Sequence, residues 1–342
     1  MPGEIDPRRA ARRYNPPEPV ILTADRGREG VRLDRFVTDA LHWRSRTAVQ
    51  ESILDGQVTL NGRPAKPSTR VRRGDSVAIS PRPDLLPPFD PESVSLEILF
   101  EDPYLLAINK PPHLVVHPVS GHLRDNLLTV LDHRFKGMEG PLGPVVPRLG
   151  HRIDANTSGV LLITKQEEIR SRVARQFARR TVKKEYHAIV HGEPERDSFE
   201  VDAPIGRDMV PGSRTRREVR PDGLPSLTTV EVLERFGGFA LVCARPHTGR
   251  THQIRIHLAH AGHPLLADGL YGTGNRFTAA DAGRRGGEEE ILLDRHALHA
   301  RRLVFVHPVS LETMTVEAPH PADLRAALDA LRERAGGRNQ GQ

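Results

Sequence analysis

The sequence predicts an α+β protein, with an extended, mostly antiparallel mixed sheet flanked by helices and a small N-terminal α/β domain. Three observations carry that prediction. From about residue 95 onward, short apolar runs bounded by turn residues follow one another in hairpin-like succession, with few helical stretches between them. Between Arg32 and Ile79, two helical patterns are followed by a hairpin signal, which makes a self-contained unit. The two parts are separated by PRPDLLPPFDP (Pro81 to Pro91), whose prolines make a semi-rigid spacer. The expected organisation is a disordered tail at 1–18, a small domain at 19–80, a linker at 81–94, a large domain at 95–335 and a second tail at 336–342.

Composition narrows the function classes. The chain has 342 residues, enough for two domains, and Lys plus Arg exceed Asp plus Glu by 50 to 44. That modest surplus favours a polyanionic partner where the basic residues cluster. Cys243 is the only cysteine, so an internal disulfide framework is excluded and a reducing, cytoplasmic location is expected. No apolar run reaches the length of a membrane span, and the N-terminus lacks the apolar core of a secretory signal. A membrane partner is not expected.

The first 18 residues are rich in Pro and Arg and carry no periodicity. In the small domain, Leu33, Phe36, Val37 and Leu41 fall at helical spacing, and Val49, Ile53 and Leu54 repeat the pattern before Gly56 ends it. Val58-Thr59-Leu60 is a strand turned back by Asn61-Gly62. Arg32, Arg35, Arg44 and Arg46 accompany the helices, while Lys66, Arg70, Arg72 and Arg73 follow the turn. This pattern resembles the alpha-L RNA-binding module of ribosomal proteins. The resemblance implies that Arg32, Arg35, Arg46, Lys66 and Arg70 face the phosphates of a structured RNA.

The large domain opens with strands at Leu96–Phe100 and Leu105–Asn109, after which Lys110-Pro111-Pro112 breaks regular structure. The stretch PRLGHRIDANTSGVLLITK (Pro147 to Lys165) runs from a basic, polar loop into a buried apolar strand, with Asp154 in the loop. Ile169, Val173 and Phe177 mark one face of a helix, and Arg170, Arg172, Arg175 and Arg179 occupy the other. Glu185 to His191 alternates as a strand does, and further strands are expected at Thr228–Leu233, Phe239–Ala244, Leu303–Val306 and Met314–Val316. THQIRIHLAHAGH (Thr251 to His263) fits helix and strand alike. Its His257, His260 and His263 raise a metal site as one reading, although the spacing fits neither HExxH nor a Cys/His finger. Gly272–Glu290 reads as a mobile insertion loop, and Leu324, Leu328 and Leu331 mark a short terminal helix.

HRIDANTSG is similar to the H-R-L-D-x-x-T-S-G signature of the RluA-type pseudouridine synthases, with Ile153 in place of Leu. NKPPHLVVHP, FARRTVKKEYHAIVHG, APIGRD, RPHTGRTHQIRIHLAHAGHP and ALHARRLVFVHP resemble the same family in the same order, over roughly residues 95 to 320. The resemblance implies an RNA uridine isomerase that needs no cofactor and no metal. It implies Asp154 as the catalytic carboxylate, Arg255 as its ion-pair partner and Tyr186 stacked on the base, where it assists a late proton transfer. Arg152 would fill the gap left by the flipped uridine, Leu298 would pack on the base, and Thr157 would contribute to substrate binding. The fused module points to large-subunit rRNA, with tRNA as the alternative, and no obligate protein partner or oligomer is expected. A noncatalytic RNA-binding or ribosome-assembly factor, or a metal-dependent RNA hydrolase using the histidines, are the readings from other classes. One departure bears on a loop: Leu266-Ala267-Asp268 stands where the family often has Gly before Asp.

Overall fold

The structure is a computed structural model and describes residues 20–25, 27–40, 46–80, 89–118, 125–208, 216–284 and 290–339. The expected N-terminal tail, Arg44 and most of the proline-rich linker lie outside these residues. The chain divides into two compact units, one comprising residues 1–94 and 117–134 and the other residues 95–116 and 135–342.

In the first unit, β1 (Val20–Thr23), β2 (Val58–Leu60), β3 (Arg63–Pro64) and β4 (Ser76–Ile79) form a sheet in the order β1-β4-β2-β3. Helices α1 (Leu33–Ala40) and α2 (Arg46–Leu54) pack on it through Leu33, Phe36, Val37, Val49 and Ile53, all buried with Val20, Leu22, Val58 and Val77. Asn61 and Gly62 both have positive φ, 51° and 75°, as the two-residue hairpin turn between β2 and β3 demands. Helix α3 (Leu127–Arg134) also belongs to this unit.

The second unit is built on a ten-stranded sheet. Its strands include β5 (Glu97–Glu101), β6 (Leu105–Lys110), β9 (Arg148–Leu149) and β10 (Ser158–Thr164), with the short hairpin β7 (Glu139–Gly140) and β8 (Gly143–Pro144) lying off it. They continue with β11 (Lys183–His191), β12 (Ser198–Asp202), β15 (Leu227–Arg235), β16 (Phe239–Pro246), β19 (Leu298–Val306) and β20 (Thr313–Glu317). The order is β12-β15-β16-β11-β19-β10-β6-β5, with β20 beside β19 and β9 beside β10. Every pairing is antiparallel except β10 with β19, so the predicted mixed sheet is realised by a single parallel contact. Two further hairpins lie outside the sheet: β13 (Ile205–Arg207) with β14 (Arg217–Val219), and β17 (Phe277–Thr278) with β18 (Ile291–Leu293).

Strand β10 is buried along its whole length. Gly159 explains why glycine stands in the TSG turn. Its φ is 108°, and an added Cβ would meet the Ala300 backbone nitrogen at 2.8 Å and collide with the Ala300 carbonyl oxygen. Only a residue without a side chain lets β10 approach β19 in parallel register, Ser158 opposite His299 and Gly159 opposite Ala300.

Helices cover both faces of the sheet. Helix α4 (Glu167–Ala178) lays Ile169 and Val173 on Leu105, Ala107, Val160 and Leu162. Helix α5 (Gln253–His260) sets Ile254 and Leu258 against Ala188, Val190 and Val242. The alternate residues Ile189 and Leu241 point the other way, toward Leu324, Leu328 and Leu331 of α6 (Ala322–Asn339).

Two expectations need correction. Gly272–Glu290 is not simply a mobile loop: Phe277, Ala279 and Ala282 are buried in the core with α6, and Phe277–Thr278 pairs with β18. Three small or aromatic anchors hold a segment whose polar composition conceals them. The terminal helix is not short either, because α6 continues past Gly336 to Asn339, into the stretch read as tail.

Candidate active site

Asp154 lies in the loop that feeds β10, and that loop is held from below by main-chain contacts. The Thr157 N–H closes a turn on the Asp154 carbonyl at 3.0 Å. Lys110, fully buried at the end of β6, donates to the carbonyls of Ala155 (2.8 Å), Pro111 (2.6 Å) and Leu114 (3.1 Å). Arg295, also buried, donates to the Asn156 carbonyl at 3.1 Å while its fork grips Asp323 at 2.6 and 3.1 Å. The Thr157 hydroxyl bonds His296 Nε2 at 2.9 Å and the Ser158 hydroxyl bonds His299 Nδ1 at 2.9 Å. Burial and the Arg295 charge pull the Lys110 pKa down to about 7, against the opposing pull of Asp154. Thr157 lines the cleft beside Asp154, but its hydroxyl is occupied by His296, so it holds the loop.

Above this floor is a cleft of about 460 Å³, lined by Asp154, Tyr186, Arg255 and Leu298 among others. Asp154 is partly exposed to it. Arg255 on α5 reaches Asp154 Oδ2 with Nη1 at 3.4 Å, but its principal partner is Asp268, bound by Nε at 2.7 Å and Nη2 at 2.8 Å. Asp268 is fully buried and also accepts from the N–H groups of Leu270 and Tyr271. Burial alone would raise its pKa, yet the Arg255 hydrogen bond and charge hold it below the ordinary carboxylate range. The Arg255 guanidinium also rests over the Tyr271 ring at 5.0 Å. Ala267, immediately before Asp268, has φ 55°, the left-handed region where glycine is at ease, so the departure noted in the sequence is a strained one.

Tyr186 follows a β-bulge between Glu185 and Tyr186 in the interior strand β11, and a bulge re-aims the side chains beside it. Burial, reinforced by the Asp154 charge, pushes its hydroxyl pKa upward, so it is a neutral phenol at working pH. Leu298 is buried on the wall and Arg152 is exposed at the rim. His151 accepts from the Leu162 N–H at 3.1 Å and stacks on Phe177 at 4.8 Å. Burial pulls its pKa down to about 3. Lys184, whose pKa burial and Arg180 lower to about 8, adds a cation to the lining.

The histidines of Thr251–His263 do not converge. His257 is buried between Thr228 and the Ala203 carbonyl, His260 is exposed, and His263 bonds the His191 carbonyl. Among the described residues no group of three or more His, Cys, Asp or Glu is placed to hold a metal ion.

In the small unit, Arg35, Lys66 and Arg70 are exposed. Arg32 and Arg46 share the buried Asp34, which also accepts from Gln50, so much of their charge is spent within the domain. The Arg32 hydrogen bond, outweighing burial, holds the Asp34 carboxyl far below the usual range.

Sequence reading did not single out Lys110, His252, Tyr271 or Arg295 for the site, and noted Asp268 only as part of a loop. Lys110 and His252 stand inside the stretches quoted for the resemblance. Arg295 had a weaker signal, the second of an Asp294-Arg295 pair set between Leu292-Leu293 on one side and Ala297-Leu298 on the other.

A family model described as RNA pseudouridylate synthase matches residues 104–260, and an S4 domain model matches residues 31–77. Two solved human structures, RNA pseudouridylate synthase domain containing 4 and domain containing 1, align at 28% and 26% identity with TM-scores of 0.55 and 0.51. They cover 69% and 72% of this chain and 93% and 98% of their own. Fold and site together define a pseudouridine synthase, an isomerase, carrying an S4 module. Ribosomal large subunit pseudouridine synthase D of Nitrosomonas europaea is 39% identical over 317 residues, 92% of this chain and 88% of its own length. The Escherichia coli K12 protein of that name is 35% identical over 321 residues, at 92% and 94% coverage. The uncharacterized RNA pseudouridine synthase YlyB of Bacillus subtilis is 36% identical over 315 residues, at 92% and 98%. The chain belongs to the RluA-type family of pseudouridine synthases.

Proposed function

We propose that this chain isomerises specific uridines of large-subunit rRNA, with Asp154 as the carboxylate that drives glycosidic cleavage. The observation that carries the reading is the placement of one accessible carboxylate on a loop clamped through its backbone, facing a cleft with Tyr186 and Leu298 on its wall. In the reaction the bond from uracil N1 to ribose C1′ breaks, a bond from C5 to C1′ forms, C5 gives up its proton and N1 gains one. An anionic nucleophile or base is the only protein group the first step needs. Tyr186, a neutral phenol, packs on the base and assists the late proton transfer. Arg152 at the rim takes the place the uridine vacates in its stack.

The rRNA substrate is supported by the relatives named for the large ribosomal subunit and by the S4 module. The exposed Arg35, Lys66 and Arg70 are the phosphate contacts of that module. Among the described residues no helix is long and apolar enough to cross a membrane.

The test is Asp154→Asn, which keeps size and hydrogen-bonding reach but not the charge. Pseudouridine is mapped in rRNA and tRNA from cells carrying the wild-type gene, the variant or neither. Yield is expected to fall at least roughly a thousandfold, about 4 kcal/mol of barrier, with RNA binding retained. Near-normal rRNA yield from a folded variant would sink the assignment, and a product confined to tRNA would replace the substrate.

A further inference from the structure

His252 has no role in the site as described so far, yet its surroundings are ordered around it. The Arg217 main-chain N–H, on β14, donates to the Tyr271 hydroxyl at 3.0 Å. A backbone nitrogen can only donate, so the phenol oxygen accepts there and keeps its own proton to give. Tyr271 Oη lies 2.8 Å from His252 Nδ1. Donation from the phenol to Nδ1 places the imidazole proton on Nε2, and Nε2 lies 3.9 Å from Asp154 Oδ2. The opposite tautomer would turn a nitrogen lone pair toward the carboxylate and strand the phenol proton.

The charges facing the ring agree with a neutral imidazole. Burial lowers the His252 pKa and Arg255 and Arg217 add to that, while Asp154 and Asp268 oppose it. The backbone of His252 has φ 59° and ψ 19°, in the left-handed region, at the N-cap of α5, where its side chain makes no capping bond. The ring is therefore not there to start the helix. Arg255 and His252 both approach Oδ2, and among the described residues no hydrogen bond reaches Oδ1.

Resting on the reading of Asp154 as the reacting carboxylate, we propose that His252 is its positioning residue. The Arg217–Tyr271 relay fixes the imidazole proton on Nε2. When uridine fills the cleft, that N–H closes the last ångström onto Oδ2, so that the carboxylate is held with Oδ1 toward the substrate. The Tyr271 ring, under the Arg255 guanidinium, keeps both donors on the same oxygen.

Three variants of the full chain test this by single-turnover kinetics on an rRNA fragment between pH 5.5 and 9. His252→Asn suits a positive φ but its amide is too short to reach Oδ2, and His252→Gln restores an N–H near the Nε2 position. Tyr271→Phe keeps the ring and removes the hydroxyl. We expect His252→Asn to lose about 10²-fold in rate with little change in KM, as for removal of one donor in a desolvated site. Gln should recover about tenfold of that loss. Tyr271→Phe should lose part of the same rate at every pH tested, because the imidazole proton is then shared between Nδ1 and Nε2. A folded His252→Asn protein with wild-type single-turnover rate overturns the proposal, as does a Gln variant no faster than Asn. Asp154→Asn assayed in parallel separates the two claims. If it is inactive while His252→Asn is normal, only the positioning role falls; if it is active, the reading of Asp154 falls first.

Discussion

Arg255 touches two carboxylates, and the geometry gives them different jobs, which a pair of isosteric substitutions separates. Asp268 has no exposed side-chain surface and four donors around it: Arg255 Nε at 2.7 Å, Arg255 Nη2 at 2.8 Å, Leu270 N at 3.0 Å and Tyr271 N at 3.2 Å. Asp268→Asn removes the charge and turns an amide toward the guanidinium, whose side chain is only 9% exposed. Breaking a buried pair in this way costs about 3–5 kcal/mol. In a unit of this size each kcal/mol moves the melting temperature by about 2–4 °C, so a drop on the order of 10 °C is expected. Asp154, with 23% of its side chain exposed and one contact at 3.4 Å, should cost less than about 1 kcal/mol when changed to Asn, or at most about 4 °C. The assay is a thermal melt followed by circular dichroism, with pseudouridine yield measured on the same preparations. The expected pattern is a destabilised Asp268→Asn and a stable, inactive Asp154→Asn. An Asp268→Asn protein melting within 3 °C of wild type, or above Asp154→Asn, would refute the division of labour.

Gly159→Ala should leave the chain unable to form the β10–β19 pairing, because the added methyl meets Ala300 backbone that cannot swing aside; limited proteolysis and expression in the soluble fraction report the outcome, and a normally melting variant contradicts it. Acid should destabilise the fold through its buried neutral histidines. The pKa of His299, fully buried, falls from 6.5 to about 3, so the unfolded chain binds the extra proton between those values and stability is lost as pH falls through that window. Between pH 7 and pH 5 this histidine contributes a loss of about 2 kcal/mol. His299→Gln should flatten the dependence of the urea midpoint on pH over that range, and an unchanged slope would remove His299 from the account.

What was legible in the sequence was whatever one segment could declare by itself. Val160–Ile163 is an apolar run because β10 is covered on both faces, and Glu185–His191 alternates because Ala188 and Val190 pack under α5 while Ile189 packs under α6. Helix α5 stayed ambiguous for a physical reason. Gln253 through Leu258 are all buried, so no polar face exists to set a period, and Arg255 and His257 are polar residues inside the core. The loop clamps could not be read for a different reason. Lys110 and Arg295 lie far from Asp154 in sequence and meet the loop only when β6, β10 and β19 are assembled. The pairing of Arg255 with Asp268 is likewise tertiary, and it demotes the expected Arg255–Asp154 contact to the longer of the two.

The two buried cations beneath the Asp154 loop grip carbonyl oxygens, and a carbonyl is the same in every residue. Ala155 and Asn156 therefore contribute to the clamp through atoms that mutation does not alter. Their side chains, both half-buried, are free to change without releasing the carboxylate from its place. A loop built this way separates two kinds of information. Where Asp154 stands is written in the main chain and its buried partners, and the side chains of Ala155 and Asn156, which do not line the cleft, carry none of that hold. Substitution can therefore change those two side chains while the clamp on their carbonyls, and with it the position of the loop, is kept.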